Sequence, residues 1–260
     1  MHMGKLQDKV ALITGSDSGI GHATAIEFAR EGADVVVHYL HDEEGAHSTQ
    51  EQVEAQGRRA IVVQGDHGDE NQVEVMFGAA FDTFGRIDIL MNNASVDASG
   101  TYVADLDIAD FEATMRSNLI GQLICCKHFI NHRKRAGGGG KILNVTSVHQ
   151  EQARAGAADY DCSKGALRNL TRTLVLEVSE LGITVNNIAP GMVLTPFNQP
   201  AIDDPDLLDK QVQSIPLKRA AQPQEIGRLA VFLASTEADY VTGATYVMDG
   251  GLMQMVGQGA

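Results

Sequence analysis

Residues Val10 to Leu40 read VALITGSDSGIGHATAIEFAREGADVVVHYL, and this stretch decides the fold class. An apolar run ends in a turn with three glycines, Gly15, Gly19 and Gly21, and a segment of helical period then leads into a second apolar run. The glycine spacing differs from the common dinucleotide pattern GxGxxG. A tight strand-to-helix turn needs glycine even without a ligand, but glycines at a helix start also let backbone N–H groups approach a pyrophosphate. The stretch predicts a β-α-β unit with a candidate phosphate site.

The composition is that of a globular chain and excludes several classes of partner. The 260 residues include 34 acidic and 20 basic side chains, which give a formal net charge of −14. Phosphate backbones and acidic lipids need clustered Lys and Arg, so we expect neither a nucleic-acid nor a membrane partner. No apolar run has the length of a membrane span, and the first residues lack the apolar core of a secretory signal. We therefore expect a cytoplasmic protein.

The cysteines and histidines do not form a metal motif. The three cysteines, Cys125, Cys126 and Cys162, are an odd number without zinc-like spacing, which favours a reducing compartment. His128 and His132 have the i,i+4 spacing of a helical metal pair, but no third ligand is evident. We predict no metal site.

Short apolar runs alternate with longer segments of helical period along the chain. The predicted strands are Val10–Thr14, Asp34–His38, Ala60–Gln64, Ile87–Met91, Lys141–Val145, Thr184–Ile188 and Thr245–Met248. The predicted helices are Ile20–Glu31, Glu43–Gln56, Asn71–Phe84, Asp110–Arg135, Asp159–Glu180 and Pro223–Ala234. Strands that are apolar nearly throughout are typical of a sheet covered on both faces. The alternation predicts an α/β fold with a doubly wound (Rossmann) parallel sheet of seven strands, helices on both faces, and one domain over residues 1–260.

The string TGSDSGIG, from Thr14 to Gly21, resembles the TGxxxGIG motif of the short-chain dehydrogenase/reductase family. Four further stretches resemble that family in the same order along the chain: QGDHGD, MNNASV, MRSNLIG and IAPGMVLTP. Ser95, in MNNASV, stands where the family usually has glycine. The resemblance covers nearly the whole chain and implies an oxidoreductase that transfers a hydride between a nicotinamide cofactor and an alcohol or carbonyl.

A serine, a tyrosine and a lysine have the catalytic spacing of that family. Ser147 ends the fifth strand, and Tyr160 and Lys164 lie one helical turn apart in DYDCSKGAL. A bare YxxxK also occurs as an exposed helix pair. A neighbouring cation and an oxidised, positive nicotinamide ring both favour a phenolate, so we expect Lys164 and the bound cofactor to lower the pKa of Tyr160 from its ordinary value of about 10. The resemblance implies that Tyr160 is the acid/base and that Ser147 binds the substrate oxygen. It implies further that Lys164 holds the nicotinamide ribose and that Asn118 completes a water-linked proton path.

The resemblance also implies which residues contact the cofactor. These are Gly15, Ser18, Gly19, Ile20, Gly21, Tyr39, Leu40, Asp66, Asn93, Ala94, Tyr160, Lys164, Pro190, Gly191, Val193 and Thr195. Asp66 would contact the adenine, and Thr195 the nicotinamide amide. An acid at the end of the second strand selects NAD and an arginine there accepts the phosphate of NADP, but Tyr39 and Leu40 occupy this place. We expect NAD(P) and leave the preference open.

The sequence indicates the substrate less clearly than the cofactor. The stretches SVHQ and SEADYVTGATYVMDGG and the tail LMQMVGQGA resemble bacterial glucose 1-dehydrogenases of the family, which implies a sugar or polyol. Ser147, His149 and Tyr160 would then contact the substrate. The glycine-turn region resembles instead the aldehyde and ketone reductases of the family. A 3-oxoacyl reductase and a catalytically silent dinucleotide-binding sensor are further alternatives.

Two expectations concern surfaces. Family members are mostly tetramers, and the helices Asp110–Arg135 and Asp159–Glu180 carry apolar residues beyond one stripe, so we expect a homotetramer. The acidic segment Asp203–Lys210, DDPDLLDK, follows the proline-glycine turn. It fits either a mobile lid over the substrate or a solvated loop.

Overall fold

The computed structural model describes residues 4–255, which form one parallel sheet of seven strands. The strand order is β3-β2-β1-β4-β5-β6-β7. The strands are β1 Val10–Ile13, β2 Asp34–Tyr39, β3 Ala60–Gln64, β4 Ile89–Asn92, β5 Gly140–Val145, β6 Ile183–Pro190 and β7 Thr245–Met248. All lie within two residues of their predicted bounds, so the doubly wound parallel sheet is confirmed. The last five residues of the tail LMQMVGQGA lie outside the described residues.

Helices cover both faces of the sheet. They are α1 Gly19–Arg30, α2 Glu43–Glu54, α3 Glu70–Phe84, α4 Ile108–Met115, α5 Gly121–Ala136, α6 Ala158–Val178, α7 Gln199–Asp203, α8 Pro205–Val212 and α9 Pro223–Ala234. Phe28 of α1 and Ile226 of α9 pack with Val35 and Val37 of β2 in one buried cluster. Val36, between those two valines, belongs to the cluster on the opposite face, which includes side chains of α3, α5 and α6. This alternation explains why the strand sequences are apolar nearly throughout.

The segment predicted as one helix over Asp110–Arg135 contains a π-helical turn. Arg116–Ile120 forms this turn between α4 and α5, and the N–H of Gly121 bonds to the carbonyl of Arg116, five residues back. Hydrophobic spacing does not reveal a turn widened by one residue. Such π-bulges are frequent at functional sites.

The acidic segment after β6 is helical and not a loop. Asp204 caps α8, because its carboxylate accepts hydrogen bonds from the N–H groups of Asp206 and Leu207 at 3.0 and 3.1 Å. The interpretation of Asp203–Lys210 as a solvated loop is therefore wrong. Its acidic residues serve partly as a helix cap.

A chain of buried polar side chains links the sheet to α6. Asn92 Nδ2 donates to Asn144 Oδ1, and Asn144 Nδ2 donates to Thr171 Oγ1, both at 2.8 Å. Thr171 in turn donates to Asn187 Oδ1 at 2.6 Å, and Asn187 Nδ2 donates to Thr245 Oγ1 at 3.2 Å. Buried amides need partners, so this network fixes α6 relative to β4, β5, β6 and β7.

The strand order reverses beside β1, where a doubly wound sheet forms its crevice. Ile13 at the end of β1 pairs with Val37 on one side and with Met91 on the other. The chain leaves β1 and β4 toward different helices at this point. The fold therefore places the glycine turn at the mouth of a crevice.

Candidate active site

A cavity of about 390 Å³ opens at this crevice. Most of the predicted site residues line it: Gly15, Ser18, Gly19, Ile20, Leu40, Asn93, Ala94, Ser147, Tyr160, Lys164, Pro190, Gly191, Val193 and Thr195. These residues are far apart in the chain, and the parallel strands bring them together at one edge of the sheet. A larger depression of about 670 Å³ lies between α8 and the start of α9 and contains none of them.

The glycine turn forms part of the wall with its main chain. Gly15 and Gly19 have backbone φ angles of +60° and +54°, which glycine adopts without strain. A Cβ on Gly15 would lie 2.9 Å from the Cα of Ala94, and a Cβ on Gly21 would overlap the Gly15 carbonyl. Asn93 Nδ2 donates to the Gly15 carbonyl at 2.8 Å and ties the turn to the segment after β4. Gly21 therefore serves close packing behind the wall and does not line the cavity.

The start of α1 fits a bound phosphate. Ser18 is the residue before the helix, and its side chain makes no capping hydrogen bond. The first turn of α1 contains no acidic residue. Uncapped N–H groups and the positive end of the helix dipole attract an anion. Residues 15–21 thus fit the pyrophosphate of a nicotinamide dinucleotide and would hold it.

The three predicted catalytic side chains meet at one end of the cavity. Ser147 follows β5, and Tyr160 and Lys164 lie one turn apart on α6. Lys164 Nζ lies 5.3 Å from the centroid of the Tyr160 ring and donates to the Val145 carbonyl at 3.1 Å. Tyr160 is 9% exposed and Lys164 only 1%. The phenol and the amine are therefore largely shielded from water, apart from their access through the cavity.

Burial dominates the acidity of both groups. It raises the pKa of Tyr160 to about 12, although a hydrogen bond with Ser147 lowers it in part. Burial also lowers the pKa of Lys164 to about 7. A lysine that is half neutral at pH 7 supplies little positive charge. In the protein without cofactor the pKa of Tyr160 therefore lies above its ordinary value. The expected lowering by Lys164 together with an oxidised nicotinamide stays a prediction.

Asn118 lies in the π-helical turn and does not line the cavity. Its Oδ1 accepts from the N–H of Val96 at 2.8 Å, and its Nδ2 donates to the Val96 carbonyl at 3.0 Å. The same Nδ2 donates to Ser163 Oγ on α6 at 3.2 Å. The Asn118 side chain thus ties the loop after β4 to the helix that carries Tyr160 and Lys164. The water-linked proton path through Asn118 stays a prediction.

His149 lies beside Tyr160 but not in the cavity lining. Its ring meets the Tyr160 ring edge-on, with 6.0 Å between the centroids. Its Nδ1 donates to the Gln152 carbonyl at 2.8 Å and lies 3.6 Å from Asp161 Oδ1. The ring is therefore held by its own loop, and its contact with a substrate stays a prediction.

The end of the cavity that the prediction assigns to adenosine, called the adenosine end below, differs from that prediction. Tyr39 is 6% exposed and packs in the apolar cluster on the α1 face, while Leu40 lines the cavity. Asp17, His41 and Asp42 also line this end. Alternation along β2 explains the position of Tyr39, since neighbouring strand residues point to opposite faces. Asp66 likewise lies outside the lining: its carboxylate accepts from the N–H of residue 68 at 2.8 Å.

Two buried histidines, His38 and His67, line the cavity and were missed. Their rings meet edge-on, with 6.0 Å between the centroids. His67 Nε2 donates to the Ser117 carbonyl at 2.9 Å, in the π-helical turn. The sequence feature that could have indicated His38 is a histidine within an otherwise apolar strand, VVVHYL.

Asp159, directly before Tyr160, positions the start of the catalytic helix. Its carboxylate accepts from the N–H of Tyr160 at 2.8 Å, from the N–H of Ser99 at 3.0 Å and from Thr114 Oγ1 at 3.4 Å. Burial alone would raise the pKa of Asp159, but these hydrogen bonds hold it below its ordinary value. A charged, fully buried Asp159 therefore joins α4 and the loop after β4 to α6.

The fold and the site define an oxidoreductase that binds a dinucleotide, and comparison with known proteins agrees. A family model described as enoyl-(acyl carrier protein) reductase matches residues 15–253. The chain is 35% identical over 247 residues to glucose 1-dehydrogenase 2 of Bacillus subtilis, covering 95% of both chains. It is 37% identical over 247 residues to 3beta-hydroxysteroid dehydrogenase 1 of Eggerthella lenta, covering 95% of this chain and 94% of that protein. The crystal structure of acetoin dehydrogenase from Enterobacter cloacae superposes with a TM-score of 0.88 at 34% identity, over 98% of this chain and 99% of that one.

The chain belongs to the short-chain dehydrogenase/reductase family. It is an NAD(P)-dependent oxidoreductase that acts on CH–OH groups. Within residues 4–255, no helix combines the length and the apolar character needed to cross a bilayer.

Proposed function

We propose that this enzyme interconverts a hydroxyl and a carbonyl group on a sugar or other polyol, with Tyr160 as the acid/base. The observation that carries the proposal is the convergence of Ser147, Tyr160 and Lys164 on one cavity that the glycine turn also lines. A hydride donor or acceptor bound along that turn would have a proton donor and two further polar groups beside it. This is the set of groups that an alcohol dehydrogenation requires.

The proposed chemistry divides between the cofactor and the chain. A nicotinamide held in the cavity would supply the hydride chemistry at the substrate carbon. In oxidation the Tyr160 phenolate takes the hydroxyl proton, and in reduction the Tyr160 hydroxyl gives a proton to the carbonyl oxygen. Ser147 donates a hydrogen bond to that oxygen and stabilises the charge that develops on it. Lys164 binds the nicotinamide ribose and exchanges a proton with Tyr160, and Asn118 holds the loop beside it.

A polar rim beside Tyr160 supports a hydroxyl-rich substrate. Arg154 Nη2 lies 3.7 Å from Asp97 Oδ1, and both side chains are about half exposed. Besides burial and the hydrogen bond with Ser147, the charges of Asp97, Arg154 and Asp161 affect the pKa of the Tyr160 phenol, so these groups belong to its electrostatic surroundings. Hydroxyl groups of a polyol would find donors and acceptors there. The relative named glucose 1-dehydrogenase 2 supports the same substrate class.

A small ketone or aldehyde is the second candidate, and the likeness to an acetoin dehydrogenase favours it. A 3-oxoacyl thioester is a third, since the matching family model is described by an acyl carrier protein substrate. An acidic carrier would face a chain of net charge −14, which opposes this candidate. A silent sensor is disfavoured because Tyr160 and Lys164 are both in place.

We also propose a homotetramer, formed through α5 and α6. Ile120, Leu123 and Leu176 are exposed apolar side chains on or next to these helices. Large exposed apolar groups are typical of surfaces that a partner copy covers.

The test is a screen of sugars, polyols, aldehydes and acyl thioesters for a change in nicotinamide absorbance, followed by Tyr160→Phe. Removing only the phenol oxygen should lower turnover on the best substrate by about three orders of magnitude or more and leave cofactor affinity unchanged. Tyr240→Phe is the matched control, since Tyr240 is fully exposed. A Tyr160→Phe variant that keeps a tenth of the activity would contradict the assignment.

A further inference from the structure

His38 joins two walls of the cavity through its side chain. It is the fifth residue of β2 and is 1% exposed. Its Nδ1 accepts a hydrogen bond from the N–H of Gly15 at 3.0 Å. Its Nε2 donates to the carbonyl of Gly65, just after β3, at 2.9 Å. One imidazole thus spans from the first residue of the glycine turn to the segment that leads into Asp66.

The main chain of His38 reinforces the same link. The N–H of Ser16 donates to the His38 carbonyl at 2.9 Å, and the N–H of His38 donates to Ser16 Oγ at 3.0 Å. Ser16 Oγ in turn donates to the Ile13 carbonyl at 2.8 Å. Gly15 and Ser16, in the turn after β1, are therefore both hydrogen-bonded to His38.

The two partners fix the ring in one neutral form. A carbonyl only accepts, so Nε2 carries the proton, and an N–H only donates, so Nδ1 presents its lone pair. Turning the ring over would replace both hydrogen bonds by C–H contacts. The charged groups near the ring are Asp66 and, when protonated, His67, and burial lowers the pKa of His38 to about 4. The neutral form therefore persists throughout the physiological range of pH.

We propose that His38 is a positioning residue, which holds the glycine turn and the Gly65–Asp66 segment at the separation that a dinucleotide requires. Gly15 belongs to the wall that fits the pyrophosphate, and Gly65 immediately precedes the aspartate expected beside the adenine. An unpaired Gly15 N–H would let the turn relax toward other acceptors. His38 acts through these two backbone segments, and the inference rests on the assignment of the cavity to the dinucleotide.

Two amide substitutions, one with a shorter and one with a longer side chain, allow the two hydrogen bonds of the imidazole to be tested separately. In His38→Asn the side-chain oxygen reaches the place of Nδ1, so the acceptor for Gly15 remains and the donor to Gly65 is lost. In His38→Gln the amide reaches the place of Nε2, so the donor remains and the acceptor is lost. His38→Leu removes both. His132→Leu is the matched control, because His132 stacks on Phe81 with 4.0 Å between the centroids, away from the cavity.

The measurement is the dissociation constant of the reduced cofactor, NADH or NADPH, whichever the wild type binds more tightly, by calorimetry. We expect His38→Leu and His38→Gln to weaken binding about tenfold or more, as when a buried N–H loses its acceptor. His38→Asn should stay within about threefold of the wild type, and His132→Leu should not differ from it. Turnover at saturating cofactor should change less than about threefold in all four, since no reacting group is altered.

The outcomes separate this inference from the proposed function. A wild type that binds neither cofactor would remove the dinucleotide assignment itself. A wild type that binds, with Asn and Gln variants of equal affinity, would overturn only the role of His38. If the Leu variant does not fold, as judged by circular dichroism, the comparison of Asn with Gln still decides. A fall in turnover without a change in affinity would also refute a positioning role.

Discussion

Replacing Lys164 by methionine should stabilise the protein while it destroys the active site. Lys164 is 1% exposed, and within residues 4–255 its ammonium has one hydrogen bond, to the Val145 carbonyl at 3.1 Å. Burial lowers its pKa from 10.5 to about 7. Methionine has a similar length and no charge, so it fills the same space without the cost of burying an ammonium or of deprotonating it.

The size of the effect follows from the pKa. In the unfolded chain the amine keeps its proton up to about pH 10.5, whereas in the folded chain it loses it near pH 7. Between these two pH values the Lys164 amine is protonated in the unfolded chain and neutral in the folded chain. The free energy of unfolding of the wild type therefore rises with pH in this range. The shift corresponds to about 5 kcal/mol at pH 7 and falls by about 1.4 kcal/mol for each pH unit above it. The Met variant lacks this penalty and should be more stable at pH 7 by up to that amount.

The assay is urea unfolding of the wild type and the variant at several pH values between about 7 and 9.5, without cofactor. The difference in the free energy of unfolding should shrink steadily as the pH rises. Lys210→Met is the control, since Lys210 is exposed on α8 and should show no such trend. A difference between wild type and Lys164→Met that does not depend on pH, or a less stable variant at pH 7, would refute the reasoning. In parallel, cofactor affinity and turnover should both fall.

Three further predictions concern other parts of the molecule. Thr171→Val leaves Asn144 Nδ2 and Asn187 Oδ1 unpaired in the interior. It should lower the free energy of unfolding, measured by urea titration, by about 2–4 kcal/mol. A loss below about 0.5 kcal/mol would contradict a stabilising role of the network. Asp42→Ser keeps a side-chain acceptor for the Gly45 N–H but removes a carboxylate from the adenosine end. It should raise the NADP-to-NAD ratio of kcat/KM about fivefold, because one charge contact in water-accessible surroundings corresponds to about 1 kcal/mol. An unchanged ratio would place cofactor selection elsewhere. Sedimentation at micromolar concentration should give four times the mass of one chain, and a monomer mass would exclude the assembly through α5 and α6.

The order of strands and helices was predictable because it depends on local periodicity. Apolar runs that are buried on both faces mark parallel strands, and the glycine turn marks the first crossover. The positions of Ser147, Tyr160 and Lys164 were predictable for a related reason. One residue ends a strand and the other two share a helix face, so the fold alone brings them to the same edge of the sheet.

Other features depend on contacts that the sequence does not display. The π-helical turn at Arg116–Ile120 widens the helix by one residue, which leaves the hydrophobic pattern nearly unchanged. The direction of Tyr39 depends on the register of β2 against the apolar cluster. Burial raises the pKa of Tyr160 in the protein without cofactor, and the sequence does not display how deeply the phenol is buried. Each of these features concerns the surroundings of a residue and not its place in the chain.

The pKa values of Tyr160 and Lys164 favour a role in which these groups exchange protons over one in which Lys164 carries a permanent positive charge. A phenol whose pKa is raised to about 12 keeps its proton at neutral pH, so carbonyl reduction finds the acid already in place. An amine whose pKa is about 7 releases and regains a proton at nearly equal free energy in the same range. In the proposed mechanism, Lys164 would therefore be able to restore the proton that Tyr160 gives to the substrate. Oxidation needs the opposite step, removal of a proton from a buried phenol. The hydrogen bond with Ser147 and the charge of Arg154 lower the pKa of Tyr160 in part, and the positive charge of an oxidised nicotinamide would lower it further. In the proposed mechanism, the protein without cofactor thus holds the proton that reduction would use, and oxidation would draw on the positive charge of the bound cofactor.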